Sequence, residues 1–253
     1  MQLTIAPRIK ICCISSIQEA TLAIDSGWDS FLLCQVVQTS LMNRWSHPWC
    51  RMDRIRKKAR AQVKAMTAIT LNLESLTTLT HDQFYQLCMD NKDVAMERSR
   101  SGELIIMPPV GGESGIGEAD SIGPLWLWNT QTKLGKVFSS STVFKLTGGG
   151  DRSPDAAWIR QDRWDSLSAD EKKRFPPICP DFVIELRSES DRLKPLQAKM
   201  QEYLESGLRL GWLINPQDRT VEIYRMGQAV EVVQLPATLS GEDVLPGFEL
   251  AVD

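Results

Sequence analysis

Histidine is scarce in this sequence, and its cysteines lack the pairing that metal sites require. The 253 residues include two histidines, His47 and His81, and six cysteines, none of which forms a CxxC pair. A structural zinc site needs four suitably spaced Cys or His ligands, and a histidine general base has to lie close to the reacting groups. We therefore interpret the cysteines as free thiols and disfavour zinc proteins and histidine-dependent enzymes.

Long apolar runs and a strong excess of charge are also missing. No stretch approaches the roughly 18 apolar residues that a membrane span needs, and the N-terminus lacks the residue order of a signal peptide. The net charge of −3 provides no overall attraction to nucleic acid or to an anionic membrane, although a local basic groove can still bind DNA. The sequence therefore predicts a cytoplasmic protein without a membrane partner.

The sequence changes character near Met66. Residues 1–33 predict a strand, a helix and the start of a second strand, which is too little to bury both faces of a parallel sheet. Residues 44–64 contain eight Lys and Arg residues against one acidic residue, which is typical of a solvated linker or of a segment that contacts DNA phosphates. We predict that residues 1–65 form a βα fragment with a basic linker, and that residues 66–253 form the main domain.

Hydrophobic periodicity and turn residues divide the main domain into helices and strands. The predicted helices cover 80–91, 113–134 (with a break or kink allowed at Gly123-Pro124) and 195–206. The predicted strands cover 94–99, 103–108, 136–146 (as one strand or two), 156–160, 181–188, 211–216 and 220–226, and a final hairpin combines 230–235 with 245–250. This order predicts an α/β or α+β fold in which a mixed sheet is flanked by helices.

Two acidic residues stand where a metal-dependent nuclease would need them. Asp155 follows Ser-Pro just before a predicted strand, and Glu185 lies among Val, Ile and Leu within the next one. Burying a carboxylate without a cation is costly. Glu185 is therefore either a ligand of Mg²⁺ or Mn²⁺, which can activate water for phosphodiester hydrolysis, or the ion-pair partner of Arg187, which shares its strand face.

A lysine is expected near such a pair of acids, but position 187 is arginine. Arginine keeps its proton at physiological pH, so it can stabilise charge but cannot act as a base. Lys199 shares a predicted helix face with Leu196 and Tyr203. Its ammonium either faces inward, toward the acids, or follows the sheet edge into water.

Six short motifs, taken in order, resemble those of the Uma2 family: MERSRSGELIIMPP, SPDAAWI, PDFVIELRS, LQAKMQEYLESG, GWLINP and VEIYR. The resemblance implies a restriction-endonuclease-like fold of the PD-(D/E)xK class over residues 66–253. It implies that Glu97, Asp155 and Glu185 are ligands of Mg²⁺ or Mn²⁺. It also implies that Lys199 is the active-site lysine, moved from the strand to the helix.

The opening of the chain resembles a different family. Residues 1–33 are similar to the first strand and helix of phosphoribosylanthranilate isomerase. Lys10, Ile11 and Cys12 match its motif, and Cys13 replaces the usual glycine. About 33 residues are too few for a barrel of roughly 250, so isomerase activity is not expected.

Two functional interpretations remain open. In the first, the protein is a metal-dependent endonuclease with DNA as substrate: Asp155 and Glu185 hold the metal, Glu97 completes or orients the shell, and Lys199 positions water or stabilises the leaving phosphate. In the second, a non-catalytic descendant of the nuclease fold binds nucleic acid or a protein. Homodimer formation is left open. Three further candidates near the site are Glu103, as a solvated rival of Glu97, and Arg98 and Ser188, which either line the site or belong to the surface.

Overall fold

The computed structural model describes residues 68–73 and 77–253, so the predicted fragment and linker over 1–65 lie outside the described residues. The described helices are α1 (His81–Asp90), α2 (Gly112–Thr132), α3 (Gln161–Asp165), α4 (Ala169–Lys173) and α5 (Leu193–Glu205). The described strands are β1 (Ile69–Leu71), β2 (Ala95–Arg98), β3 (Leu104–Met107), β4 (Gly135–Ser139), β5 (Phe144–Lys145), β6 (Asp151–Arg152), β7 (Ala156–Arg160), β8 (Phe182–Leu186), β9 (Leu210–Asn215), β10 (Thr220–Arg225), β11 (Glu231–Gln234), β12 (Ala237–Ser240) and β13 (Glu249–Val252).

The strands form two large sheets and one small one. The six-stranded sheet has the order β11-β10-β9-β8-β7-β4, and it is mixed because β8 and β9 run parallel whereas its other pairs are antiparallel. The five-stranded sheet has the order β1-β3-β2-β6-β5, and β12 pairs with β13. The predicted mixed sheet with flanking helices is confirmed. None of the described helices is both long and apolar enough to cross a membrane.

The predicted pairing at the C-terminus is wrong. The segments 230–235 and 245–250 do not form one hairpin, because β11 pairs with β10 and β13 pairs with β12. A tight turn explains the first pairing, since Gly227 has a φ of +72° and glycine adopts this left-handed region without steric cost. Alternating apolar residues identify a strand but not its partner.

Helix α1 begins where its capping residues dictate. The Thr80 hydroxyl accepts a hydrogen bond from the backbone N–H of Gln83, and the Gln83 side chain accepts one from the backbone N–H of Thr80. This reciprocal arrangement satisfies two N–H groups that a helix start leaves unpaired. Phe84 and Cys88 are buried against β2 and β3, so the helix covers one face of the five-stranded sheet.

Helix α2 continues through Pro124, where the sequence allowed a break or kink. Its second half is held by packing, because Trp128 is buried and meets Trp158 edge-on with ring centroids 5.7 Å apart. A Cβ atom at Gly117 would overlap the side chain of Leu186. Glycine therefore permits the close approach of this helix to β8.

Strand β8 separates two apolar cores. Phe182 and Ile184 face one core, whereas Val183 faces the other, which includes residues of α5. Because side chains alternate along a strand, Glu185 points to the same side as Val183. The apolar pattern of β8 thus places a carboxylate beneath helix α5.

Candidate active site

Helix α5 places one lysine between two buried carboxylates. The Nζ atom of Lys199 lies 2.8 Å from Oε1 of Glu185 and 2.8 Å from Oε1 of Glu97. It also donates to the carbonyl oxygen of Ser153 at 2.9 Å. Lys199 is 8% exposed, so the alternative in which its ammonium extends into water is wrong. The structure brings Glu97, Glu185 and Lys199 together.

Glu185 pairs with Lys199 and not with Arg187. The Tyr203 hydroxyl adds a hydrogen bond to Oε1 of Glu185 at 3.1 Å. Arg187 follows the end of β8, and its guanidinium instead donates to Oδ2 of Asp218 at 3.0 Å. The alternative in which Arg187 is the partner of Glu185 is therefore wrong, because the arginine side chain reaches the turn between β9 and β10.

Glu97, on β2, has polar partners at both of its carboxylate oxygens. Oε1 accepts from the backbone N–H of Ser153 at 2.8 Å and contacts Lys199. Oε2 accepts from Nη1 of Arg152 at 3.0 Å. Two full positive charges and one backbone N–H thus surround a single buried carboxylate.

Asp155 lies next to Glu185 across the sheet. The last pair of the β7–β8 ladder is Ala156 with Ile184, and one step further along the antiparallel register sets Asp155 opposite Glu185. Oδ2 of Asp155 accepts the backbone N–H of Leu186 at 2.7 Å. Within residues 68–73 and 77–253, no hydrogen bond reaches Oδ1 of this half-buried side chain.

The two carboxylates that share Lys199 differ in their pKa. Burial raises the pKa of Glu185 to about 8, and the charges of Asp155 and Glu97 add to this, against the opposing charge of Lys199. Burial also opposes ionisation of Glu97, but Lys199 and Arg152 outweigh it and lower the pKa of that carboxyl. The difference follows from the partners, because Glu97 contacts two cations and Glu185 only one.

The pKa values of Asp155 and Lys199 are also raised. Burial raises the pKa of Asp155 to about 6, although Lys199 and the Leu186 N–H favour its ionised form. Burial opposes protonation of Lys199, but Glu185, Glu97 and Asp155 together raise the pKa of its ammonium above the ordinary value. The lysine is therefore a permanent positive charge, while Asp155 and Glu185 lack full compensation.

Sequence reasoning missed three members of the site: Arg152, Glu202 and Tyr203. Arg152 is 5% exposed and lies in a strand of two residues, too short to produce a periodic pattern. Glu202 comes three positions after Lys199, a spacing that places two side chains on one helix face and that could have indicated it. Tyr203 was noted only as an apolar neighbour of Lys199, yet its hydroxyl bonds to Glu185.

The other candidates lie outside the cluster. Arg98 donates to Oδ2 of Asp151 at 2.7 Å on the opposite face of β2, because neighbouring strand residues face opposite ways. Ser188 donates to Oδ2 of Asp191 at 2.6 Å. Glu103 accepts from serine side chains in the β2–β3 turn, so Glu97 is the acid of this hairpin that enters the cluster.

The donor set fits a hard divalent cation. Glu97, Asp155, Glu185 and Glu202 are four acids against two bases, Lys199 and Arg152. Carboxylate oxygens are the protein ligands that Mg²⁺ prefers, and the raised pKa values of Asp155 and Glu185 mark the place where positive charge is deficient. In the described part of the chain, no three or more His, Cys, Asp and Glu side chains are already grouped for a metal ion.

Comparison with known proteins shows a family and a similar fold. The Uma2 family, described as "putative restriction endonuclease", matches residues 81–253. The chain belongs to the Uma2 family. A crystal structure of a protein from Anabaena variabilis ATCC 29413, described as a "putative nuclease belonging to DUF820", is similar in fold, with 21% sequence identity and a TM-score of 0.59. The similarity covers 68% of this chain and 94% of that one. No curated protein matches the sequence.

Membership confirms the resemblance seen in the sequence motifs. At 21% identity, the similar crystal structure supports this Uma2 protein's fold alone. Two observations thus confirm the mixed α/β architecture expected from the sequence: the sheets themselves and the similar fold of a crystal structure. The roles of individual residues rest on the geometry of the cluster.

Proposed function

We propose that the protein is a divalent-metal-dependent endonuclease that hydrolyses phosphodiester bonds of DNA. The observation that carries the proposal is the buried Glu185–Lys199 pair with Asp155 at the adjacent strand end. Membership of a family described as restriction endonucleases supports the same reaction. A purely structural ion pair would not need a second, undercompensated acid beside it.

Asp155 and Glu185 are the residues that would hold Mg²⁺ or Mn²⁺, and Glu97 is the third acid of the cluster. The bound ion supplies charge neutralisation at the phosphate and an activated water. Lys199 acts through its charge, because its raised pKa keeps the ammonium protonated and unsuited to a base role. A fixed positive charge next to the scissile phosphate stabilises the negative charge that develops in the transition state.

We infer DNA as the substrate from the family description, "putative restriction endonuclease", and recognition of DNA does not depend on net charge. A polyanion binds wherever basic side chains are locally concentrated. The eight basic residues of 44–64 are one such concentration in the sequence. We propose that Asp155, Glu185 and Lys199 act on the scissile bond.

The test is nicking of supercoiled plasmid in Mn²⁺ by the full chain. We expect Asp155→Asn to abolish nicking, because it removes one of the two undercompensated carboxylates. Glu103→Gln is the matched control, since this acid lies in the same hairpin as Glu97 but outside the cluster, and it should nick as the wild type does. DNA binding without cleavage by the wild type, in either Mg²⁺ or Mn²⁺, would reject the nuclease and leave the binding interpretation.

A further inference from the structure

Arg152 connects the acid cluster to helix α5. Its Nε donates to Oε2 of Glu202 at 2.8 Å and its Nη2 donates to Oε1 at 2.7 Å, which is the two-bond fork that a planar guanidinium makes with a carboxylate. Its remaining arm, Nη1, donates to Oε2 of Glu97 at 3.0 Å. One side chain thus fixes Glu97 against a rigid element of the fold.

The contacts close a ring. Lys199 and Glu202 lie three positions apart on α5, so they project from one helix face. Lys199 contacts Glu97, Glu97 contacts Arg152, and Arg152 contacts Glu202. Movement of Glu97 would break at least one ion pair. In the described part of the chain Arg152 shares no hydrogen bond with Lys199, so it acts on the lysine through Glu97.

A glycine makes room for this ring. A Cβ atom at Gly150 would lie 2.8 Å from Oε2 of Glu202 and 3.3 Å from the carbonyl oxygen of Arg98. Both neighbours are constrained, since Glu202 is engaged by Arg152 and the carbonyl belongs to a strand. The close approach of the Glu202 carboxylate to the chain before β6 is thus possible because position 150 has no side chain.

The ring also limits how strongly Glu97 can bind a metal ion. Its two oxygens already accept from Ser153, Lys199 and Arg152, and its pKa is lowered as a result. Asp155, in contrast, has one oxygen that no hydrogen bond reaches within the described ranges. A cation added to the cluster gains more from Asp155 and Glu185 than from a carboxylate that two cations already neutralise.

We propose that Arg152 is a positioning residue: clamped by Glu202, it holds Glu97 on Lys199, so that Glu97 orients the lysine and does not serve as a metal ligand. The proposal rests on the proposed function in assigning the metal to Asp155 and Glu185. The positioning of Lys199 itself is independent of metal and of catalysis. The two parts are therefore tested by separate measurements.

The first measurement is ¹⁵N NMR of the lysine ammonium groups in the full chain without metal, with the Lys199 signal assigned from its loss in Lys199→Met. We expect Arg152→Gln to shift or broaden that signal, because Glu97 loses its second anchor. Arg100→Gln is the matched control. Arg100 pairs with Glu205 of the same helix at the surface and should leave the signal unchanged.

A second variant keeps the test decisive if Arg152→Gln fails to fold. Glu202→Gln keeps the arginine but weakens its fork, and it should displace the Lys199 signal in the same direction as Arg152→Gln, by a smaller amount. A Lys199 signal that stays at its wild-type position in folded Glu202→Gln and Arg152→Gln protein would overturn the positioning role, whether or not the protein cleaves DNA.

The second measurement is calorimetric titration with Mn²⁺ alone. We expect Asp155→Asn to abolish measurable Mn²⁺ binding and Glu97→Gln to retain it. Loss of binding in both variants would make Glu97 a ligand and overturn that part of the proposal. Absence of Mn²⁺ binding to the wild type would reject the metal site of the proposed function, while the NMR result would still decide the role of Arg152.

Discussion

Strands β2 and β6 carry two charged clusters, one on each face. On the face covered by α5, Glu97 and Arg152 belong to a group of four acids and two bases. On the opposite face, Arg98 donates to one oxygen of Asp151 at 2.7 Å, and Nδ1 of His81 lies 2.7 Å from the other. The first cluster has excess negative charge, whereas the second is balanced.

The difference separates a structural cluster from a functional one. Asp151 is fully buried, and both of its oxygens have partners within the protein, so nothing further is needed to satisfy it. Glu185 is buried and Asp155 half-buried, both with too little positive charge nearby, and their pKa values rise in consequence. Retaining undercompensated acids is costly, and a site for a cationic ligand accounts for that cost.

The largest expected effect comes from breaking the balanced cluster. Arg98→Met leaves the buried Asp151 without its cation, and removing one partner of a buried pair typically costs about 3–5 kcal/mol. Urea unfolding at neutral pH measures this loss as a lower midpoint. Arg209→Met is the control, because its pair with Asp243 is largely exposed and such pairs contribute about 0–1 kcal/mol. Equal losses in the two variants would contradict a structural role for the opposite face.

The next effect, on activity, concerns Lys199 and Arg187. Lys199→Met should lower Mn²⁺-dependent plasmid nicking by about 10²–10³, the usual result of removing one well-placed electrostatic stabiliser. Arg187→Gln should lower it less, because this guanidinium bonds to Asp218 outside the cluster. Circular dichroism checks folding, and we expect Lys199→Met to fold, since Glu185, with a pKa of about 8, can stay protonated at neutral pH. Equal activity of the wild type and Lys199→Met would remove the lysine from the mechanism.

Local sequence signals predicted most of the elements of the fold. The Thr80 cap, the break between the predicted strands 94–99 and 103–108, and the apolar run of β8 each specify a short segment, and the structure has an element at each. The partner of β11 was not predictable in this way, because pairing depends on contacts that are distant in sequence. The five-stranded sheet was not predicted as a separate sheet for the same reason. Its strand β6 has only two residues, which is too short for a periodic pattern.

The candidate site was predictable where the chemistry is unusual for its position. Glu185 is a carboxylate within an apolar strand, and Lys199 is a lysine on an inward helix face. Both are unusual, because charged side chains are rarely buried without a partner. Arg152 was not predictable, because a charged residue in a loop-like segment is ordinary, and the only sequence signal for Glu202 is its spacing from Lys199. Their roles depend on a three-dimensional ring of contacts that no short spacing encodes.

A smaller effect is expected from metal binding in the absence of substrate. A ligand that binds only the folded state at 100 times its Kd adds about 2.7 kcal/mol of stability. Mn²⁺ should therefore raise the Tm of the wild type, measured by calorimetry, and fail to raise that of Asp155→Asn. Glu103→Gln should respond as the wild type does. Equal stabilisation of Asp155→Asn would place the ion elsewhere in the chain.

The smallest expected effect is a gain in stability from neutralising Glu185, and its sign follows from proton linkage. The carboxyl loses its proton near pH 4.5 when the chain is unfolded and at about 8 when it is folded. The folded state thus binds more protons between these values, so the contribution of Glu185 to stability falls as the pH rises through this window. Glu185→Gln has no such proton to lose.

We therefore expect Glu185→Gln to unfold at a higher urea concentration than the wild type above pH 8, in metal-free buffer, and at a similar one near pH 4.5. One pKa unit corresponds to about 1.4 kcal/mol, and the raised pKa of Glu185 already includes the attraction of Lys199, so a gain of at least about 1.4 kcal/mol is expected. Glu103→Gln should show no such pH dependence relative to the wild type. A Glu185→Gln protein less stable than the wild type at pH 8 and above would mean that Lys199 fully compensates Glu185, and the contrast between the two faces would disappear.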